Sequence, residues 1–297
     1  MKIGKLVVVG VGLIGGSFAL ALKAAKAVGT VVGVGRSEAN LRRARELGVI
    51  DAAGALDGPT LADADLVMVA TPVGEMSAVF RALAPHLGPS TTITDGGSTK
   101  QDVIAAARRE LGAAMPRFVP GHPVAGTEKS GAEAAFADLY RGRKVVLTPL
   151  AETDPGALER VRAAWERCGA VVVDLDPAEH DAILASVSHL PHVLAYALVH
   201  QVARHPRPER LFAFAAGGFR DFTRIASSHP RMWTDICLAN REALLAELDR
   251  YGGELARIRG LLERGDAKML EALFAHARSA RDRWLDSGQE QPRDPKS

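Results

Sequence analysis

Residues 6–37 constrain this chain more than any other stretch, because one run specifies a strand, a glycine turn, a helix and a second strand. Three β-branched residues, Val7, Val8 and Val9, lead into Gly10, Gly12 and Gly15, spaced G-x-G-x-x-G. Helix-compatible residues follow over 17–27, and a second apolar run over 31–34 ends in Gly35, Arg36 and Ser37. That order is the sequence form of a dinucleotide-binding βαβ unit. Gly10 permits the tight turn, Gly12 lets the backbone approach a pyrophosphate, and Gly15 lets the helix pack close to the strand. The phosphates belong at the helix N-terminus, where free N–H groups and the dipole favour an anion. Leu13 and Ile14 sit inside this turn and join the residues expected to meet the cofactor.

A secretory signal is the competing reading: Lys2 and Lys5 precede the apolar run, and Ala19-x-Ala21 has the form of a cleavage site. It leaves the glycine spacing and the second strand unaccounted for. The three turn glycines argue against a membrane span, and no other stretch reads as long enough for one. A net charge of +2, with basic residues spread out, gives no reason to expect nucleic acid or an anionic membrane as partner. Only two cysteines occur, Cys168 and Cys237, far apart and outside any CxxC, so free thiols in a reducing cytoplasm are expected.

Along the chain, strands are expected at 66–70, 91–94, 117–120, 144–148 and 170–175, with helices at 38–47, 74–83, 99–111 and 154–167. Alternating strands and helices imply one mostly parallel sheet covered on both faces. The fold class is therefore α/β, a Rossmann-type doubly wound domain over 1–176. Beyond Pro177 no strand is expected. A long helix over 179–203 should kink at Pro191, and helical periodicity continues over 211–216, 230–251, 252–263 and 266–284. An all-helical domain over 177–285 and a frayed polar tail over 286–297 complete the chain. The helical faces are apolar enough to favour a homodimer.

Ligands of open α/β sheets bind at the carboxyl ends of the strands. Thr71-Pro72, the 95–100 segment and the 121–129 segment lie there. His122 suits an acid/base group poised near neutral pH, or a loop-capping histidine. Ser98 suits an orienting partner for that histidine's other ring nitrogen, or a plain helix N-cap. His189 and His192 share a helix face, but nothing completes a metal site, so no metal is expected. Arg220 and Arg224 stand four apart around Asp221, as a solvated helix edge or as a clamp for a substrate carboxylate.

Together the stretches GVGLIGGS, TDGGSTK, GHPVAGTEKSG, SHLPH and GFRDFTRIASSHPRMW, in that order from Gly10 to Trp233, resemble the prephenate/arogenate (cyclohexadienyl) dehydrogenase family of tyrosine biosynthesis. The resemblance implies a Rossmann-type domain followed by a helical dimerisation domain. It implies oxidative decarboxylation, with hydride passing from the substrate ring to a nicotinamide as carbon dioxide leaves. It assigns His122 and Ser98 to catalysis, Arg224 to the substrate carboxylate, and His189, Thr127, Asp221 and Trp233 to the substrate pocket. No chorismate mutase domain is seen before the glycine turn and no ACT-type domain after Trp284. Any tyrosine inhibition is then expected to act by competition at the active site.

Enzymes that prefer NAD usually carry Asp or Glu at the end of the second strand. Gly35 stands there, followed by Arg36 and Ser37, a guanidinium and a hydroxyl suited to a 2′-phosphate. NADP is therefore favoured over NAD, and the likeness to NADP-using arogenate enzymes points toward arogenate. Two other readings compete with this one. A β-hydroxyacid or imine reductase would rely on a helical-domain lysine, and none occurs between Pro177 and Gly265. A non-catalytic NAD(P)-sensing protein would have no need of His122, Ser98 and Arg224 together.

Overall fold

The computed structural model describes residues 2–127 and 129–287. Six parallel strands form the main sheet: β1 (Ile3–Val9), β2 (Val28–Val34), β3 (Ala52–Gly54), β4 (Leu66–Val69), β5 (Thr92–Asp95) and β6 (Phe118–Val119). Their order, β3-β2-β1-β4-β5-β6, is that of the Rossmann fold. The crossovers carry helices α1 (Leu13–Ala24), α2 (Glu38–Glu46), α3 (Gly58–Leu61), α4 (Met76–Leu83) and α5 (Gln101–Glu110).

Period-two alternation puts the strands' side chains on both faces. Leu6 and Val8 pack with Phe18, Leu22 and Trp165 on one side, and Val7 and Val9 with Phe80, Ile104 and Phe118 on the other. Val9 pairs with both Val34 and Val69, so β1, β2 and β4 end level. Gly10, Gly35 and Thr71 are thereby delivered to one edge.

The glycine turn is built as its spacing requires. Gly10 has φ +95°, and a Cβ there would stand 2.6 Å from the Ala70 carbonyl oxygen. A Cβ on Gly15 would stand 2.4 Å from the Gly10 carbonyl oxygen and 2.6 Å from Val8 Cγ1. A Cβ on Gly12 would meet nothing within 4 Å. Two glycines thus serve packing, and the third keeps a space open.

The expectation of one sheet is corrected. After β6 the chain leaves the parallel sheet and forms β7 (Gly121–Pro123), which pairs antiparallel with β8 (Lys144–Leu147); β8 pairs parallel with β9 (Val171–Asp174). Pro120 has no N–H to continue the first ladder, and the Gly121 N–H goes instead to Asp95 Oδ1 at 3.0 Å. His122 therefore lies on a short buried strand rather than in a loop. Helix α6 (Pro155–Arg167) returns over the main sheet, with Trp165 against Phe18.

The helices beyond β9 also differ from expectation. The chain forms two compact units, Met1–Arg241 and Glu242–Ser297, and the first holds the strands together with helices that follow β9. It takes in α7 (Pro177–Leu184), a π turn (Ala185–His189), α8 (Leu190–Ala203), α9 (Pro208–Ala213), α10 (Gly217–Thr223) and α11 (Pro230–Ala239). The reason is packing: Trp233 and Ile236 of α11 are buried in the same apolar cluster as Val73 and Met76. The π turn sits directly before Pro191, where the wider register relieves the ring's clash. By length and mean hydropathy, 1.6, the run Pro177–Ala203 does qualify for crossing a membrane, contrary to the sequence reading. Its His180, Asp181 and His189 are buried and hydrogen-bonded within this unit, as in a core helix.

The second unit holds α12 (Arg241–Glu263) and α13 (Ala267–Asp286). Asn240, not Gly252, breaks the expected 230–251 helix, because its side chain is engaged elsewhere. Gly252 and Gly253 are carried inside α12 at a cost of about 1 kcal/mol each. Asp286 ends α13, so the expected tail starts too early; 288–297 lie outside the described residues.

Gly15→Ala is expected to cost about 1–3 kcal/mol in chemical denaturation through overpacking. Gly12→Ala, whose φ of −117° suits any residue, should stay within about 1 kcal/mol of the parent while weakening cofactor binding in a titration.

Candidate active site

The carboxyl edge of the sheet carries the site. Gly12 is the N-cap of α1 and contributes no side chain, leaving the first-turn N–H groups of Leu13, Ile14 and Gly15 facing the open space beside it. Thr71 Oγ1, just past β4, is buried without a hydrogen-bond partner. An uncapped helix start, a space only glycine leaves open and an orphaned hydroxyl fit a dinucleotide. At the far end of β2, Ser37 Oγ accepts the Asn40 N–H as the cap of α2, and Arg36 pairs with Glu75 at 2.9 Å.

A buried ion pair positions the next group. Lys100 Nζ donates to Asp95 Oδ2 and to the Gly121 carbonyl, the latter at 2.7 Å. Asp95 also accepts the N–H groups of Gly97 and Gly121. The end of β5, the 96–100 turn and the start of β7 are thereby tied together, and His122 is the next residue. Its Nδ1 lies 2.8 Å from His180 Nε2, and His180 Nδ1 lies 2.8 Å from Asp181 Oδ1. Asp181 in turn accepts the N–H groups of Lys100 (2.8 Å, Oδ1) and Gln101 (2.9 Å, Oδ2), capping α5 from 80 residues away.

This arrangement corrects both expectations for Ser98. The helix begins at Gln101, and a remote carboxylate caps it in place of the serine. The orienting partner on His122 Nδ1 is His180. Ser98 itself is half-buried in the turn and makes no side-chain hydrogen bond among the described residues.

A second buried group lies next to it. Asn240 Nδ2 donates to the Asp181 carbonyl at 2.7 Å and meets His189 Nδ1 at 3.1 Å. His189 Nε2 and Trp233 Nε1 are both buried without a hydrogen-bond partner. Their rings stand 6.0 Å apart, and His192 stacks on Trp233 at 3.6 Å. Arg224 follows α10, exposed and near enough to depress His192. Asp221 is exposed on α10, and Thr127 is half-buried, accepting the Lys129 N–H at 3.3 Å. No group of three or more metal-ligating side chains occurs among the described residues.

Electrostatics divides these groups. Burial, then the His180, Lys100 and His189 charges, push His122 well below its ordinary value. Burial likewise takes His189 down to about 4, despite Asp181. Burial alone would raise Asp181, but the hydrogen bonds from His180, Gln101 and Lys100 outweigh it and hold the carboxyl below its usual value. At neutral pH the site presents two uncharged imidazoles beside a fixed carboxylate.

His180, Asp181 and Asn240 escaped the sequence reading. The signal for the first two was there: an adjacent His-Asp pair just after the last strand, opening an otherwise apolar helix. Asn240 left none, since the expected 230–251 helix runs straight through it.

A dinucleotide turn at the carboxyl edge of a parallel sheet, with a buried uncharged histidine on the strand that follows that sheet, is what a nicotinamide-dependent dehydrogenase requires, and that is the class of this chain. Comparison with known proteins narrows it. The prephenate dehydrogenase nucleotide-binding domain matches residues 18–174, and the prephenate dehydrogenase dimerization domain matches 176–276. The chain belongs to the prephenate dehydrogenase family. It is 39% identical to the prephenate dehydrogenase of Bacillus subtilis over 93% of this chain and 75% of that protein. It is 38% identical to the cyclohexadienyl dehydrogenase of Zymomonas mobilis, over 93% and 94%. The crystal structure of prephenate dehydrogenase from A. aeolicus, in complex with hydroxyphenyl propionate and NAD+, matches with TM-score 0.89 and 36% identity, over 95% of this chain and 99% of that one.

The depressed histidines set a pH dependence. The unfolded chain takes up protons below about pH 6.5 that the native chain refuses, so stability falls as pH drops toward 4. Between pH 7 and pH 5 His189 alone should remove roughly 2 kcal/mol, read as a lower urea midpoint. His189→Asn should flatten that dependence by the same amount.

Proposed function

We propose that this chain oxidatively decarboxylates arogenate, prephenate or both, forming tyrosine or 4-hydroxyphenylpyruvate. The observation that carries the reading is the pairing of one buried imidazole held uncharged by its burial, His122, with two buried ring nitrogens that have no partner, His189 Nε2 and Trp233 Nε1. A substrate with both a hydroxyl to be oxidised and a carboxylate to be held fits that set. Gly10, Gly12, Leu13, Ile14, Gly15, Arg36, Ser37 and Thr71 hold the cofactor. When bound, the nicotinamide supplies the hydride acceptor.

The chemistry balances without a net proton. Hydride leaves the carbinol carbon, the ring carboxylate departs as carbon dioxide, and its bonding pair completes the aromatic ring. The hydroxyl hydrogen ends in the phenol, so His122 holds it only in passing, as the carbonyl character grows and then collapses. Neutral His122 is fitted to that brief role because its burial opposes keeping the proton. Arg224 clamps a substrate carboxylate, and His189 and Trp233 donate to the substrate within the pocket. Thr127 and Asp221 line the outer pocket. Ser98 serves catalysis beside the reacting carbon, not on His122 Nδ1.

NADP is the proposed preference, on the absence of a carboxylate at Gly35 and the presence of Arg36 and Ser37. The Glu75 salt bridge on Arg36 opposes it in part, since a 2′-phosphate has to displace that carboxylate. A homodimer is proposed from the match to a dimerization domain and from Leu245, Leu262, Phe274 and Trp284, each at least half exposed in the single chain. We place the enzyme in the cytoplasm on its free Cys168 and Cys237.

His122→Asn is expected to lower kcat by about 10²–10⁴-fold in a reduced-nicotinamide assay, with cofactor affinity intact. Arg224→Ala should chiefly raise KM for the substrate. Near-normal turnover in the first variant, or an unchanged KM in the second, removes that residue from its role. A kcat/KM tenfold higher with NAD than with NADP overturns the cofactor preference, and Glu75→Gln should move the ratio toward NADP.

A further inference from the structure

Two hydrogen-bonded chains run outward from Asp181, one from its carboxylate and one from its main-chain carbonyl, and each ends on a histidine of the site. The protonation of each link follows from its neighbour. An ionised carboxylate only accepts, and Asp181 already takes two N–H groups from the start of α5. His180 Nδ1, 2.8 Å from Oδ1, must therefore carry a hydrogen and donate. In the neutral ring, Nε2 is then a bare lone pair. His122 Nδ1, 2.8 Å from it, has to be the donor of that contact. His122 Nε2 is left bare, and it has no hydrogen-bond partner among the described residues.

The second chain runs to the opposite result. The Asn240 amide nitrogen donates one hydrogen to the Asp181 carbonyl and the other to His189 Nδ1. His189 Nδ1 therefore accepts. In the neutral ring, its hydrogen sits on Nε2, the atom that is buried without a partner.

We propose that His180, Asp181 and Asn240 are positioning residues that lock the two histidines in opposite tautomers, His122 with a bare Nε2 that accepts and His189 with an Nε2–H that donates. The inference rests on the proposed reaction and adds to it which atom takes the hydroxyl proton and which atom holds the substrate. A histidine free to choose its tautomer offers the wrong nitrogen part of the time. A second imidazole and a carboxylate also stabilise the imidazolium that forms in passing on His122. The other charged or titratable groups acting on His122 are Lys100, from the turn before α5, and His189, from the π turn. The Lys100 ammonium donates to Asp95 and the Gly121 carbonyl, so it offers no competing donor to the His122 lone pair.

Nitrogen-15 NMR of histidine-labelled protein near pH 7.5 reads the tautomers directly, with signals assigned by their loss in His122→Asn and His189→Asn. Expected are a protonated Nδ1 and bare Nε2 for His122, and the reverse for His189. His122 found with its hydrogen on Nε2 overturns the proposal, whatever the substrate proves to be. An inactive parent protein would instead overturn the proposed reaction and leave the spectrum readable.

Kinetics supplies the second arm. Asp181→Asn leaves a single amide oxygen for the three donors of Lys100, Gln101 and His180 and removes the charge, so the tautomers of the chain are no longer fixed. It should lower kcat by about 10²–10⁴-fold with little change in KM. His180→Gln keeps an acceptor for His122 Nδ1 and should recover at least tenfold over His180→Ala. Asn240→Asp reverses the other chain and should raise KM about tenfold while sparing kcat. Equal effects on kcat and KM of substitutions at all three positions, with the His122 tautomer unchanged, would mark a purely structural role and overturn the proposal.

Discussion

The Asp181 carboxylate holds this site together. It caps α5 through the N–H groups of Lys100 and Gln101, and it receives the His180 imidazole. Without it, the helix after the TDGGSTK turn loses its cap, a loss of about 1 kcal/mol for an ordinary helix start. The His180–His122 chain also loses its fixed charge. Because Asp181 sits on the first helix beyond the sheets, one side chain joins the end of the α/β layers to the helices that carry His189 and Trp233. The buried Lys100–Asp95 pair performs the matching task within the sheets, holding β7 against the end of β5. A buried ion pair of this kind is a poor source of stability but a strong determinant of geometry, since removing either partner strands a charge.

The level ends of β1, β2 and β4 serve the other half of the reaction. A parallel sheet in register delivers its glycine turn, its second-strand end and Thr71 to one edge. In the proposed mechanism the nicotinamide and His122 meet at that edge. Gly12 keeps it open, while Gly10 and Gly15 are filled by backbone and neighbouring strand. Fixed geometry on both sides of a hydride transfer is the main physical contribution a protein makes to such a step.

The parts legible in the sequence were those with a short-range cause. The 6–37 unit showed itself because its glycines, β-branched runs and helix lie within one span of chain. Most strands of the sheets showed themselves as apolar runs. What stayed hidden depended on contacts between distant residues. The second sheet begins where Pro120 drops a ladder hydrogen bond and Asp95 takes the next N–H, and neither event marks β7 as a strand in the sequence. The 80-residue reach of Asp181 to α5 misdirected the reading of Ser98, whose local position suits a cap. Asn240 is hidden inside the expected 230–251 helix because its role lies in two residues far back in the chain. Of the site, His122, His189 and Arg224 stand out by position and chemistry and Trp233 by resemblance, and the structure adds the groups that aim two of them.

The central claim is a coupled loss of hydride and carboxylate from one ring. The most direct measurement uses substrate deuterated at the carbinol carbon, with reduced cofactor and released carbon dioxide counted together. The account predicts one carbon dioxide per reduced nicotinamide, with the deuterium in the cofactor and the hydroxyl retained in a phenolic product. Reduced cofactor formed without carbon dioxide, or carbon dioxide released with the cofactor still oxidised, would contradict it.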